Sequence, residues 1–134
     1  MELQNDRSKP KQELDGRDAL IDTILRQQAL INGTQDLIWS FDTELRIITS
    51  NQSFAKNIKA LTGRDIREGD DVLVKEFGHD RLNRWRQYYK RALDGEEFLI
   101  KEDIYNPLKQ AKQYSLISLS PMYDQSNNLF GIAC

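Results

Sequence analysis

The sequence predicts an α+β domain: a five-stranded antiparallel sheet with helices on one face, preceded by an N-terminal amphipathic helix. Three observations predict it. Apolar residues recur with helical spacing in some stretches and alternate strictly in others. These stretches run in the order helix, two strands, a block of helices, three strands, which segregates strands from helices. The length of 134 residues, with 39% apolar and 30% charged, suits a single core and is too apolar for a disordered chain.

Residues 1–13 are polar, include Pro10, and read as a disordered lead-in. Residues 14–32 read as an amphipathic signalling helix carrying Leu14, Leu20, Ile21, Ile24, Leu25 and Ile31. Leu14, Ile21 and Gln28 stand seven apart, with Ile24 and Ile31 at intermediate heptad positions and Arg17 interrupting. That pattern suits a helix capping its own domain, and equally a short coiled coil joining two copies. Asn32-Gly33 ends the helix, because both residues tolerate the left-handed C-terminal conformation.

Leu37, Trp39 and Phe41 then alternate with Ile38, Ser40 and Asp42, the period of a strand. Asp42-Thr43-Glu44 is a turn, and the β-branched run Arg46–Ser50 completes a hairpin. Asn51 suits a helix N-cap; Phe54, Ile58 and Leu61 make one stripe, and Gly63 a C-cap. Arg64 to Gly78 has no clean period and reads as loop with short helical turns. Asp80 is the expected N-cap of a helix whose face is Leu82, Trp85, Tyr89 and Leu93, closed by Asp94-Gly95. Phe98, Ile100 and Ile104 alternate in the next strand, and Asn106 to Gln110 is a turn. Tyr114 to Ser120 reads as a strand stopped by Pro121, which lacks a ladder N–H. Asp124 to Asn128 is a hairpin loop before a final strand, Leu129–Cys134. With no polar tail after that strand, the chain reads as a fragment of a longer protein.

Composition excludes several classes. Nineteen basic against 21 acidic residues, a net charge of -2, argue against a nucleic-acid binder held by phosphate contacts. No apolar run approaches the roughly 18–20 residues that span a bilayer, so no membrane contact is expected from this segment. The polar start lacks the apolar region of a secretory signal. One Cys and one His form neither a disulfide nor a zinc site of the usual ligand sets. The expectation is a single domain in a reducing compartment, the cytoplasm.

Four stretches, in order, resemble the PAS family of sensory domains over roughly residues 33–134. Asp36-Leu37-Ile38-Trp39-Ser40-Phe41-Asp42 resembles the first PAS strand. Asn51, Phe54 and Gly63 resemble its N-x-x-F … G helix. Trp85, Tyr88, Tyr89, Leu93, Gly95, Glu96 and Phe98 resemble the long helix and its L-x-G-E-x-F exit. Ser120-Pro121-Met122-Tyr123-Asp124 with Gly131 resembles the last hairpin. Two departures stand out: Leu45 and Asn128 occupy positions where the family often has Gly. Asn tolerates positive φ, whereas Leu45 suggests a different turn type.

The resemblance implies a non-catalytic sensory module that binds a small molecule or partner and relays a conformational change to an output domain in the same chain. It implies most often a two-component sensor histidine kinase. The alternatives are a ligand-free dimerisation module of a transcriptional regulator or other signalling protein, and a small α+β enzyme. In such folds the helices curl over the sheet and enclose a pocket, whose lining here is expected to include Trp39, Trp85, Tyr89, Tyr114 and Ser118. A homodimer through the N-terminal helix is expected.

No cofactor is predicted. His79 is the sole candidate haem ligand, but it precedes the long helix rather than lying on its inward face. Cys134 lies in a strand, outside the N-C-R-F-L-Q setting of the light-sensing relatives. Haem and flavin therefore rank behind a cavity holding neither. Ser118 and Ser120 lie outside any Gly-x-Ser-x-Gly elbow. The pairs Asp70-Asp71 and Glu96-Glu97 are sequence neighbours that need not converge on one substrate. Lys75 to Arg91 carries six basic residues with Trp85, Tyr88 and Tyr89 between them, but Trp85 and Tyr89 fall on the apolar stripe. A solvated basic helix face is the preferred reading.

Overall fold

The computed structural model describes residues 8–106 and 110–134, with side chains for 16–103 and 110–134. The chain divides into two units, 1–34 and Gln35–Cys134. The first holds α1 (Ser8–Asn32). This helix begins inside the stretch read as lead-in. Pro10 lies in its first turn, where a missing backbone N–H leaves no intrahelical bond unmade. Residues 1–7 of that lead-in lie outside the described residues. Along α1, Leu20, Ile21, Ile24, Leu25 and Leu30 are exposed. Asp22 and Arg26, one turn apart, form an ion pair at 2.9 Å.

The second unit runs β1 (Trp39–Asp42), β2 (Ile47–Ser50), α2 (Gln52–Thr62), a 3₁₀ turn (Lys75–Phe77), α3 (His79–Leu93), β3 (Phe98–Asn106), β4 (Ala111–Tyr123) and β5 (Leu129–Ala133). The strands form one sheet in the order β2-β1-β5-β4-β3, every pair antiparallel. The hairpin and the three-stranded meander thus join where β5 enters beside β1. Gly131 permits that entry: a Cβ there would stand 2.5 Å from the Phe41 carbonyl oxygen. The open edge of β2 is met by loop backbone, with Ile47 N–H donating to Asp70 O (2.8 Å) and Gly69 N–H to Ile47 O (2.8 Å), which blunts an edge otherwise free to pair with another chain.

Asn51 is the N-cap of α2, as its residue type suggests. Its Oδ1 accepts from the N–H groups of Phe54 (3.0 Å) and Ile38 (3.1 Å), and its Nδ2 donates to Asp36 O (2.8 Å). One buried side chain therefore ties the lead-in of β1 to the start of α2. Gly63 closes the helix at φ 74, a conformation that costs glycine nothing.

Four local expectations are corrected. The N-cap of α3 is Gly78 rather than Asp80. Asp80 sits two residues further in, in the first turn, where its charge faces the positive end of the helix dipole. Leu45 does not change the turn: it adopts φ 64, the left-handed conformation glycine would take. Its N–H donates to Asp42 O (3.0 Å), its carbonyl accepts from Val72 N–H (2.9 Å), and its side chain packs against the core. Those contacts hold a backbone state costing a non-glycine residue about 1–2 kcal/mol. In the last hairpin the positive φ falls on Asn127, not Asn128. Finally, β4 runs through Pro121 to Tyr123. The β3–β4 ladder ends at Phe98–Leu119, so Pro121 has a neighbour on one side only and its missing N–H breaks no bond there. The turn expected at Asn106 to Gln110 lies outside the described residues for Pro107 to Lys109.

Candidate functional site

The site expected from the sequence is the space between sheet and helices. β1 turns Trp39 and Phe41 toward the helices, because alternate strand residues share a face. α2 presents Phe54 and Ile58, four apart, and α3 presents Trp85 and Tyr89, also four apart. All six are buried. Trp39 stacks on Phe54 with centroids 4.7 Å apart and meets Trp85 edge-on at 6.2 Å. Tyr89 touches Phe41 at 4.4 Å and Trp85 at 5.4 Å. Offset and edge-on contacts of this kind suit the ring quadrupole and stabilise beyond the area they bury.

The aromatics leave little room. The cavity they border, also lined by Leu61 and Arg81, measures ≈ 40 Å³, against the roughly 300–1,000 Å³ typical of small-molecule sites. One polar group in it is unsatisfied. Trp39 is 4% exposed, and among the described residues its indole N–H has no hydrogen-bond partner. A buried orphan donor costs about 1–3 kcal/mol, so this N–H is a ready donor for anything that enters. Burial pushes the Tyr89 phenol well above its ordinary range, and the neighbouring Trp39 indole offsets this in part. Burial likewise pushes the Cys134 thiol far up, which keeps it protonated and unreactive.

Three of the five expected lining residues, Trp39, Trp85 and Tyr89, meet at this cavity. Tyr114 and Ser118 do not. Ile117 and Leu119 are the buried residues of β4, so Tyr114 and Ser118 project from the opposite face, Tyr114 with 75% exposure. The strand reads Tyr-Ser-Leu-Ile-Ser-Leu-Ser, and both of its alternating sets contain apolar residues. Its inner face is therefore ambiguous from the sequence. His79 is the first residue of α3, exposed, with its ring nitrogen 3.2 Å from Asn83 Nδ2. Among the described residues, no cluster of His, Cys, Asp and Glu could hold a metal ion, and no helix is long and apolar enough to cross a membrane.

One charged feature went unnoticed in the sequence. Glu102 on β3 is 7% exposed and accepts two hydrogen bonds from Arg84 on α3, from Nη2 at 2.6 Å and from Nε at 3.2 Å. The Tyr88 hydroxyl approaches the same carboxylate at 3.5 Å. Glu102 falls on the parity of Phe98 and Ile100, the inward one, and that spacing was the available signal.

A family profile described as the PAS fold matches residues 31–134. Among solved structures, the PAS domain of Bordetella pertussis BvgS is 19% identical with a TM-score of 0.58, covering 84% of this chain and 82% of that one. The PAS domain of an HTR-like protein from Haloarcula marismortui is 15% identical, TM-score 0.56, covering 90% and 97%. A PAS domain from Colwellia psychrerythraea is 16% identical, TM-score 0.55, covering 82% and 92%. No curated protein matches the chain. These structural likenesses carry the fold, and the profile covers the whole of β1 to β5: the chain belongs to the PAS fold family.

Proposed function

We propose that this PAS domain is a non-catalytic sensory relay of a cytoplasmic signalling protein, a two-component sensor histidine kinase whose output domain lies in the same chain. A small molecule or partner acting on the core between helices and sheet shifts a packing equilibrium, and β5 or α1 carries the shift to the output domain. The observation that supports this reading is the double role of Trp39. Its side chain holds the unsatisfied donor at the cavity. Its backbone exchanges two hydrogen bonds with Cys134, N–H to O at 3.1 Å and O to N–H at 2.8 Å. Movement of the indole therefore bears on the end of β5 through a single residue.

The volume of ≈ 40 Å³ supports a cavity without haem or flavin, since either ring system is several times larger. Hydrogen exchange tests the relay. Trp39→Phe removes ring volume together with the donor, and the amides of Phe130 to Cys134 are expected to exchange about tenfold faster, an opening free energy lower by about 1.4 kcal/mol. Unchanged protection of β5, beside altered protection of α2 or α3, counts against the relay. A native mass spectrum of the purified chain tests ligand retention.

A second reading, a ligand-free dimerisation module, draws support from the exposed apolar residues of α1 and from the near-filled core. A bare mass together with a concentration-dependent dimer favours it.

A further inference from the structure

A second cavity, of ≈ 190 Å³, opens between α2, the loop after it and the 3₁₀ turn. It lies apart from the contacts that define the relay. Its floor is apolar: Ile58 and Val74 are buried, Ile66 and Leu73 half-buried. Its rim is charged, and part of that charge is already neutralised. Arg64 pairs with Glu76 at 2.7 Å and Asp65 with Lys59 at 3.1 Å. Three rim charges form no close ion pair among the described residues: Lys75, Asp71 and Asp70, the last of which also acts through space on the Arg64 guanidinium. The two carboxylates are held in place by backbone. Asp70 Oδ2 accepts from Arg67 N–H (2.8 Å) and Asp71 Oδ1 from Leu73 N–H (2.9 Å), leaving the second oxygen of each available.

This pattern selects among ligands. An apolar molecule would cover three charges without pairing them, which costs free energy. A simple anion would face two carboxylates, and a simple cation would face Lys75. A molecule carrying both charges and an apolar side chain satisfies rim and floor together. Size bounds it as well. A cavity of about 150 Å³ accepts benzene, so ≈ 190 Å³ suits a molecule of leucine's bulk and not a nucleotide.

We propose that this cavity binds a small zwitterion with a branched apolar side chain, an α-amino acid of the leucine or valine class. Its ammonium group lies on Asp70 and Asp71, its carboxylate on Lys75, and its side chain over Ile66 and Leu73. Ile58 is shared with the aromatic cavity, but the charged rim is not, so rim variants test the proposal apart from the relay.

The test is a titration of the full chain, followed by ¹H–¹⁵N correlation spectra. The probes are L-leucine, isovalerate (no ammonium), isoamylamine (no carboxylate) and glycine (no side chain). L-leucine is expected to shift the amides of Asp70 to Lys75 saturably, and each of the other three to bind at least about tenfold more weakly, the loss of one contact worth about 1.4 kcal/mol. Lys75→Gln and Asp70→Asn are each expected to weaken leucine binding about tenfold. The Asn retains an acceptor for Arg67 N–H, so the spectrum away from the site and the melting temperature stay unchanged. The proposal is overturned if leucine gives no saturable shift up to its solubility limit. It is equally overturned if isoamylamine matches leucine, which would make the site a cation site, or if both variants bind leucine as the wild type does.

Discussion

Trp85 shows most directly how one side chain serves the fold. It is buried and packs against Trp39, Tyr88 and Tyr89, so it belongs to the core and not to a surface that stacks on bases. Trp85→Ala is expected to destabilise the domain by about 3–5 kcal/mol, read from urea denaturation. An unchanged midpoint would reopen the nucleic-acid reading. Tyr89 and Cys134 predict a pH dependence. Their ordinary values are 10.0 and 9.0, and burial raises both in the folded chain. Above about pH 9 the unfolded chain loses these protons while the folded chain keeps them. The unfolded state then binds fewer protons, so stability falls as pH rises, with a slope approaching about 1.4 kcal/mol per pH unit for each group. Thermal melts from pH 8 to 11 are expected to show this decline, and Tyr89→Phe and Cys134→Ala each to flatten it. A decline equally steep in both variants would assign it to other groups.

Between elements, the contact of α3 with β3 is asymmetric. Glu102 is 7% exposed, whereas the Arg84 side chain is 43% exposed. Arg84→Ala strands a carboxylate away from water and is expected to cost about 3 kcal/mol. Glu102→Ala leaves a guanidinium that water can reach, and is expected to cost less by at least about 1 kcal/mol in the same denaturation experiment. The reverse order would mean that water already reaches Glu102. For α1, the exposed Leu20, Ile21, Ile24, Leu25 and Leu30 form more apolar surface than a solvated helix leaves uncovered. The proposed homodimer through this helix is short, with Gln28 at a core heptad position, so it is expected to be a concentration-dependent equilibrium. Sedimentation of the intact chain against one starting at Asn32 checks it. Monomers throughout remove the dimer, and a truncated dimer moves the interface off the helix.

At the scale of the whole chain, the core lies in the second unit and is largely filled by its own side chains. Stacked and edge-on rings from β1, α2 and α3 pack together there. The purified protein is expected to show neither a Soret band nor a flavin spectrum from 300 to 700 nm, a range spanning roughly every haem and flavin band. A stoichiometric haem spectrum abolished by His79→Ala would reverse this, since His79 is exposed at the start of α3 and hydrogen-bonded to Asn83. The proposed relay would then work through packing shifts within a small core, where close packing makes added atoms felt.

The sequence alone determined what depends on neighbours along the chain. Period two placed β1, period 3.6 placed α2 and α3, and Asn51 and Gly63 marked the ends of α2, because strand alternation, helix stripes and caps are local physics. The three expected lining residues that border the cavity, Trp39, Trp85 and Tyr89, lie on stripes with one unambiguous apolar face. Only the tertiary structure decided the rest. Tyr114 and Ser118 face outward because the β3–β4 register buries Ile117 and Leu119, and register is a long-range choice when both faces of a strand carry apolar residues. Leu45 holds a glycine conformation because contacts with Asp42 and Val72 outweigh its local preference. Pro121 continues β4 because β3 has already ended beside it. Glu102 keeps its charge in a buried position because Arg84, 18 residues away, reaches it from α3. In each case at least one deciding partner is distant in sequence, and local pattern alone does not name it.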